Sequence, residues 1–521
     1  MTAVGLGDEP KSVLPPDDRC LRTSDDDEVK TVHRRHGPAG WSTPGLIDPT
    51  LESDETVPKF KRLYRPRITF GRPLRIAGAI SVTGVLTAVG CYSPLVGTTA
   101  ASAAANPPIG STADCHSVTT CYTPHQLEVA YGILPLLDHG TNGAGETVVL
   151  PELAEPQFPL AVSDIRQDMA AFDKLFHLPA AQLRVVTTLA PSASPWLANA
   201  EEVLDTEMVH TVAPGAALVE VLVNGKSLDN AANAVAASVA AVRLGSSIGG
   251  VISISAAGQA GGENCDSHAE VAALHSALQF AAAHHVTVVA ASGDIGAVGE
   301  PCQVYKGLIG GVFPPVKEVN LPASDPLVLG AGGTSLTASH VTGAYISESA
   351  WGLPYGDPGT QFQASGGGIS HVFSRPSYQD GLAAIAKYRG VPDVAADASP
   401  HAGMALVLAT GGDKYVIRNS GGTSASAPIW AGIIALADQY AGRHLGFVNA
   451  GIYRIARSAQ YHQAFHDVTT GDNSVSFPPK TVTGYQAHPG WDAVTGWGSP
   501  NAAVLVPLLK QDVHSGDAVG L

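Results

Sequence analysis

The chain has 521 residues, 45% of them hydrophobic and 15% charged, and carries a formal net charge of −16. That length and apolar content suit one large α/β domain or two to three ordinary ones, and they exclude a disordered tail protein. The acidic balance excludes a general nucleic-acid binder, which needs a basic surface, so no nucleic-acid partner is expected.

Residues 1–75 read as disordered. They are polar, with the run Ser24-Asp25-Asp26-Asp27-Glu28, and turn basic at Lys59, Lys61, Arg62, Arg65, Arg67, Arg72 and Arg75. No charged residue occurs from Ile76 to Ala113, and the mostly apolar run Ile76 to Gly97 meets the roughly 20 residues a bilayer span requires. Ala101-Ser102-Ala103 has the small-x-small form of a signal-peptidase site. The basic flank places the N-terminal side in the cytoplasm and the remainder outside. Two readings of residues 76–105 stand: a signal peptide cut near Ala103, or a membrane anchor that tethers the chain through 76–97. Either makes the rest secreted or extracytoplasmic and membrane-anchored. Lipidation at Cys91 is the weaker option, because Ala88-Val89-Gly90 is a poor lipobox.

Residues 106–121 read as a linker. Of the six cysteines, Cys115, Cys121, Cys265 and Cys302 lie downstream of the apolar run. In an exported chain they suit two disulfides. Cys115–Cys121 with Cys265–Cys302 is the local pairing among three connectivities.

From Tyr122 the pattern turns to βα repeats. Apolar, β-branched runs predict buried parallel strands at Thr147–Leu150, Leu183–Thr187, Ala217–Val223, Gly250–Ser255, Val286–Ala291 and Leu327–Gly330. Alanine-rich stretches predict helices over Ala269–His284 and Ser426–Ala441. Alternation of this kind implies an α/β domain with a mainly parallel sheet and helices on both faces. Such sheets carry their sites at the C-terminal ends of strands.

Gly421-Gly422-Thr423-Ser424-Ala425-Ser426-Ala427-Pro428 opens the last of these helices. The glycines permit a tight turn, and the helix start offers N–H groups to a developing oxyanion. Ser424 there suits nucleophilic attack on a carbonyl. A lone serine before a helix would be an N-cap, but the full string points beyond that. A base is needed. Subtilisin-like proteases share the Gly-Thr-Ser string and use a histidine in His-Gly-Thr-His. Here His139-Gly140-Thr141-Asn142 lies ahead of the first predicted strand, so His139 reads as a loop residue.

Glu201 and Asp205 are four residues apart and share a helix face, where two carboxyls raise each other's pKa and can act as a base–acid pair. The bland alternative is a solvated acidic face, and Glu202 is the rival for Glu201. Asp294, in Ala291-Ser292-Gly293-Asp294, follows a predicted strand. There it is either a turn residue or a protonated donor to an oxyanion.

In the order Glu-Asp, Asp, Ser, these pieces resemble the sedolisin (serine-carboxyl peptidase) family. Cys121-Tyr122-Thr123-Pro124, Leu321-Pro322-Ala323-Ser324, Gly332-Gly333-Thr334, Glu348-Ser349-Ala350-Trp351, Ser365-Gly366-Gly367-Gly368 and Pro392-Asp393-Val394-Ala395-Ala396-Asp397 agree, so the similarity runs from about Tyr122 to Leu509. The resemblance implies a subtilisin-like fold over 122–509, with 510–521 a tail. It also implies peptide-bond hydrolysis of peptide or protein substrates in acid, as an endopeptidase or a tripeptidyl-peptidase. Ser424 would be the nucleophile, Glu201 its base, Asp205 the residue orienting Glu201, and Asp294 the oxyanion stabiliser. A Ca²⁺ site over 465–501 is also implied, with Asp467 and Asp492 giving carboxylates and Val468, His488 and Gly490 giving carbonyls; the family usually has Gly at the position of His488. Family members carry a large folded propeptide ahead of the catalytic domain. The segment before Tyr122 does not read as one, so a separate propeptide or inhibitor chain is a candidate partner. A catalytically silent cell-envelope binding protein on a peptidase scaffold is the alternative function.

Overall fold

The structure is a computed structural model, and it describes residues 121–153, 163–187, 197–223, 235–236, 238–239, 250–255, 262–299, 316–352, 363–401, 403–411, 414–477 and 480–512. The expectations for 1–120, including the apolar run, and for 513–521 lie outside these residues. Among the described residues no helix is long and apolar enough to cross a membrane. Cys121 and Cys265 are each disulfide-bonded; the partners expected for them, Cys115 and Cys302, lie outside the described residues.

The body of the fold is an eight-stranded sheet. In chain order its strands are β1 (Thr147–Leu153), β2 (Gln182–Thr187), β3 (Ala217–Val223), β4 (Gly250–Ile254), β5 (Val286–Ala291), β6 (Leu329–Ala338), β7 (Tyr345–Ala350) and β8 (Val394–Asp397). They stand in the order β8-β6-β5-β4-β1-β3-β2. Every pairing along this path is parallel, and β7 adds on antiparallel to β6. β4 and β5 are buried along their whole length, which is why they read as unbroken apolar runs.

Four helices matter for the site: α1 (Ile165–Phe176), α2 (Ala200–Val212), α3 (His268–Ala283) and α4 (Thr423–Ala441). α4 is buried from Thr423 to Asp438, packs on α2 and lies against β4, β5, β6 and β8. Its lack of a polar face follows from being surrounded on all sides. Directly before it runs a hairpin, β9 (Met404–Gly411) and β10 (Lys414–Ser420), which the βα pattern does not reveal. The outer edge of β9 is covered by other groups. Ala405 N–H donates to the Tyr122 carbonyl (3.0 Å), Val407 N–H to the Glu207 carboxyl (3.1 and 3.3 Å) and Ala409 N–H to Asp168 Oδ1 (2.6 Å).

β1 runs three residues past the expected Leu150, to Leu153, and two other boundaries bear on the site. The strand expected over Leu327–Gly330 is instead β6, which starts at Leu329 and runs on through Gly332-Gly333-Thr334 to Ala338. Glycine normally interrupts a strand, but here the neighbours demand it. A Cβ on Gly332 would lie 2.6 Å from Pro392 Cγ, and one on Gly333 would lie 2.7 Å from the Ala398 Cβ. The helix expected from Ser426 begins at Thr423, which brings Ser424 into its first turn.

Candidate active site

The site forms where α2 and α4 meet the ends of β1, β4 and β5. Asn199 caps α2: its side chain accepts from the N–H groups of Glu201 (2.8 Å) and Glu202 (3.2 Å), while the Glu202 carboxyl accepts from Asn199 N–H (2.8 Å). This capping box uses up Glu202 and leaves Glu201 as the carboxyl available to the cleft. Glu201 is partly exposed and accepts a hydrogen bond from the Ser424 hydroxyl. Burial pushes its pKa up to about 7, the Ser424 bond opposes that rise, and the charge of Asp294 adds to it.

Asp205, one turn on, is fully buried. Its carboxyl lies beside Ser255 and Glu152, but neither of its oxygens makes a well-formed hydrogen bond. Burial and the neighbouring Glu201 charge raise its pKa well above the usual carboxylate range. Glu152, at the end of β1, is buried and is raised in the same way, by burial first and then by Asp205. Glu220 on β3, also buried, accepts from Thr206 Oγ1 (2.9 Å) and is raised to about 8. Behind Glu201, then, stands a block of carboxyls that burial keeps protonated. Glu152 and Glu220 were not singled out from sequence. The available signal was a lone acid inside each of two otherwise apolar strands.

Ser424 is 8% exposed. Pro428 lies four residues on, where it supplies no N–H to the Ser424 carbonyl. Ser255 Oγ, just past β4, donates to that carbonyl instead (3.1 Å). Asp294 approaches from the end of β5. Its Oδ1 accepts from both Thr423 N–H and Thr423 Oγ1, each at 2.8 Å, so a carboxylate from another segment caps α4. Its Oδ2 faces Gly422, where an added Cβ would lie 2.7 Å away; Gly422 has φ +90°, so only glycine suits the position on both counts. Burial raises the Asp294 pKa and the two Thr423 bonds hold it down. The four residues expected to act together are therefore brought together. His139 is exposed at the end of the short helix Leu134–Asp138, with Nδ1 2.6 Å from the Pro135 carbonyl oxygen, and takes no part.

No family model matches the chain. Kumamolisin from Bacillus sp. (strain MN-32) is 31% identical over 402 residues, which cover 75% of this chain and 64% of kumamolisin. Sedolisin from Pseudomonas sp. (strain 101) is 35% identical over 196 residues, 37% of this chain and 31% of that one. Human tripeptidyl-peptidase 1 is 32% identical over 269 residues, 47% of this chain and 41% of that one. The chain is similar to members of the sedolisin family. It spans less than two thirds of the length of these relatives. The solved structure of Pseudomonas sedolisin, a serine-carboxyl proteinase complexed with two molecules of pseudo-iodotyrostatin, superposes with a TM-score of 0.60 at 24% identity. The match covers 76% of this chain and all of that one, and shows the shared subtilisin-like fold.

The sedolisin-like chain also brings its C-terminal acidic strings together. Gly490 N–H donates to both Asp467 oxygens (3.2 Å each) and His488 N–H to Asp492 Oδ2 (3.1 Å). Asp492 Oδ1 accepts from the N–H groups of Val494 (2.9 Å) and Thr495 (2.8 Å). Asp467 and Asp492 both act on the Tyr461 hydroxyl, and Val468, next to Asp467, is buried. Asp492 is fully buried, burial raises it to about 6, and among the described residues no basic side chain pairs with it. A buried carboxylate beside a second one, without a basic partner, fits a hard cation such as Ca²⁺.

Proposed function

We propose that this chain is an exported, acid-active serine-carboxyl peptidase that hydrolyses peptide bonds through Ser424, Glu201, Asp205 and Asp294. The observation that carries the reading is the Ser424 hydroxyl bonded to Glu201, with buried Asp205 behind and Asp294 across the start of α4. Glu201 takes the hydroxyl proton as Ser424 Oγ bonds to the substrate carbonyl carbon, and the carbonyl electron pair moves onto oxygen. That oxyanion meets the Ser424 N–H, which in the first helical turn has no helical acceptor, and the proton on Asp294. When the C–N bond breaks, Glu201 returns its proton to the leaving amine, and water then repeats the sequence to free Ser424. Asp205 and Glu152 act as positioning residues: packed and protonated behind Glu201, they hold its carboxyl towards the serine.

Full-length protein and its Ser424→Ala variant are to be incubated with denatured protein between about pH 3 and pH 7, a range that runs from below the ordinary carboxyl values up to the raised value of Glu201. Cleavage in acid by the parent alone is the expected result. No cleavage at any pH by folded parent, or cleavage undiminished in the variant, would overturn the mechanism. Export rests on the run 76–97 and the basic flank before it, and N-terminal sequencing of the mature protein tests it.

Ca²⁺ belongs to the same proposal. Asp467 and Asp492 would hold it with the carbonyls of Val468, His488 and Gly490, and it would supply positive charge that ties the two loops together. Chelation is expected to lower the melting temperature, and Asp492→Asn to remove that calcium dependence, as thermal unfolding with and without chelator will show.

A further inference from the structure

Away from the cleft, three side chains from separate segments converge near the surface. Glu146 immediately precedes β1, Asp438 lies near the C-terminal end of α4, and His444 lies in the connection after it. His444 Nδ1 is 3.2 Å from Glu146 Oε2 and 3.4 Å from Asp438 Oδ2, and the three atoms lie within 4.8 Å of one another. Donors around a tetrahedral ion with bonds of about 2.0–2.1 Å stand about 3.3 Å apart, so two of the three edges already have that length.

Two observations mark the three side chains as a ligand set. Asp438 is fully buried and its Oδ1 accepts from Leu445 N–H (2.8 Å), which leaves Oδ2 directed at His444. Glu146 Oε2 is buried with no hydrogen-bond donor, although the imidazole stands beside it. A single N–H on Nδ1 serves one carboxylate and leaves the other unmet. A dication seated between them would meet both carboxylates and the imidazole together. The side chains of His444 and Glu146 keep 10% and 11% exposure, which gives an ion a way in from solvent. Arg443 lies close enough to Asp438 to favour its charged form, the form a metal requires.

We propose that Glu146, Asp438 and His444 bind a first-row transition-metal dication, with Zn²⁺ the best chemical match. One imidazole and two carboxylates form a mixed N/O set that suits zinc and leaves a fourth position for water. The ion clamps the start of β1 to the far end of α4. It lies about 21 Å along the helix from Ser424, so it is structural and not part of the cleavage chemistry.

Titration calorimetry of the full-length protein with Zn²⁺, near pH 7.5 with calcium in excess, tests this. One Zn²⁺ per chain is expected. His444→Ala and Glu146→Gln should each weaken it by more than about 100-fold, since losing a ligand exceeds the effect of losing a ligand's support. Circular dichroism checks that the variants fold. Co²⁺ added to the parent protein gives a second readout that needs no variant: visible d–d bands of a low-coordinate site support the proposal. No zinc heat and no cobalt bands from the parent, or zinc binding undiminished in both folded variants, would overturn it.

Discussion

Asp294 places its two oxygens in different surroundings, and that difference has a kinetic consequence. Oδ1 is anchored as an acceptor by Thr423, so in the proposed mechanism Oδ2, facing Gly422, is the oxygen that would carry the proton offered to the oxyanion. In the proposed mechanism Glu201 has to be ionised to accept the serine proton, yet it is pushed up to about 7, whereas Asp294 has to stay protonated. The two needs oppose each other, so the rate is expected to follow a bell-shaped pH profile whose limbs belong to the coupled set. In Asp294→Asn the amide oxygen replaces Oδ1 and the NH₂ replaces Oδ2, a donor that does not titrate. The alkaline limb of kcat/KM should be lost, leaving a single rise with pH as Glu201 ionises, as a pH series on both proteins will show. Glu201→Gln, by contrast, should lower kcat by about 100- to 10,000-fold with the fold intact, the range for removal of a general base. Ser424, Glu201, Asp205 and Asp294 could be singled out in the sequence because their short strings, in the order Glu-Asp, Asp, Ser, resemble those of the sedolisin family; taken alone, Asp294 reads equally as a turn residue. Glu152 and Glu220 could not be, because only the β1–β3 pairing and α2 above it turn two lone strand acids into one buried block with Asp205.

At the scale of elements, α4 owes the seat of Ser424, the proposed nucleophile, to a missing hydrogen bond. Pro428 leaves the Ser424 carbonyl without its helical donor, and Ser255 replaces it. Ser255→Ala should therefore cost about 1 kcal/mol in the parent protein. In a Pro428→Ala background the restored N–H can take the carbonyl, and the same change should cost less, with a coupling of about 0.5 kcal/mol or more in a double-mutant cycle by urea unfolding. The parallel strands were readable because burial on both faces leaves a continuous apolar run. The start of α4 was not, because the carboxylate that caps it comes from Asp294, 129 positions earlier in the chain. No local capping rule contains such a residue. The β9–β10 hairpin escaped although Met404 to Leu408 form a continuous buried run: it pairs antiparallel with its neighbour in a separate two-stranded sheet, outside the βα alternation that marks the parallel strands.

At the scale of the molecule, buried carboxyls outnumber the buried cations among the described residues. Glu152, Asp205, Glu207, Glu220, Glu348 and Asp397 are all buried, and burial raises every one of their pKa values. The folded chain holds protons that the unfolded chain would release. Its stability is thus fully present below the unfolded values near 4 and is lost as pH rises through the folded ones, such as the value of about 8 for Glu220. Melting temperatures measured from about pH 4 to pH 8 should fall steadily with pH. A flat or rising series would show that these groups are ionised in the fold.

The covered edge of β9 carries that acid dependence into another property. A strand with a bare edge is a template on which a second chain can pair. Here the carbonyl of Tyr122 and the carboxyls of Glu207 and Asp168 occupy successive outward N–H groups, a mock strand assembled from α1, α2 and one backbone carbonyl. If the helices withdraw as their carboxyls ionise, the segment leading straight into Ser424 becomes an open, adhesive edge. Inactivation near neutrality would then proceed by self-association, which makes it a one-way event, and an acid environment would serve as this chain's protection against aggregation as much as the medium for its chemistry.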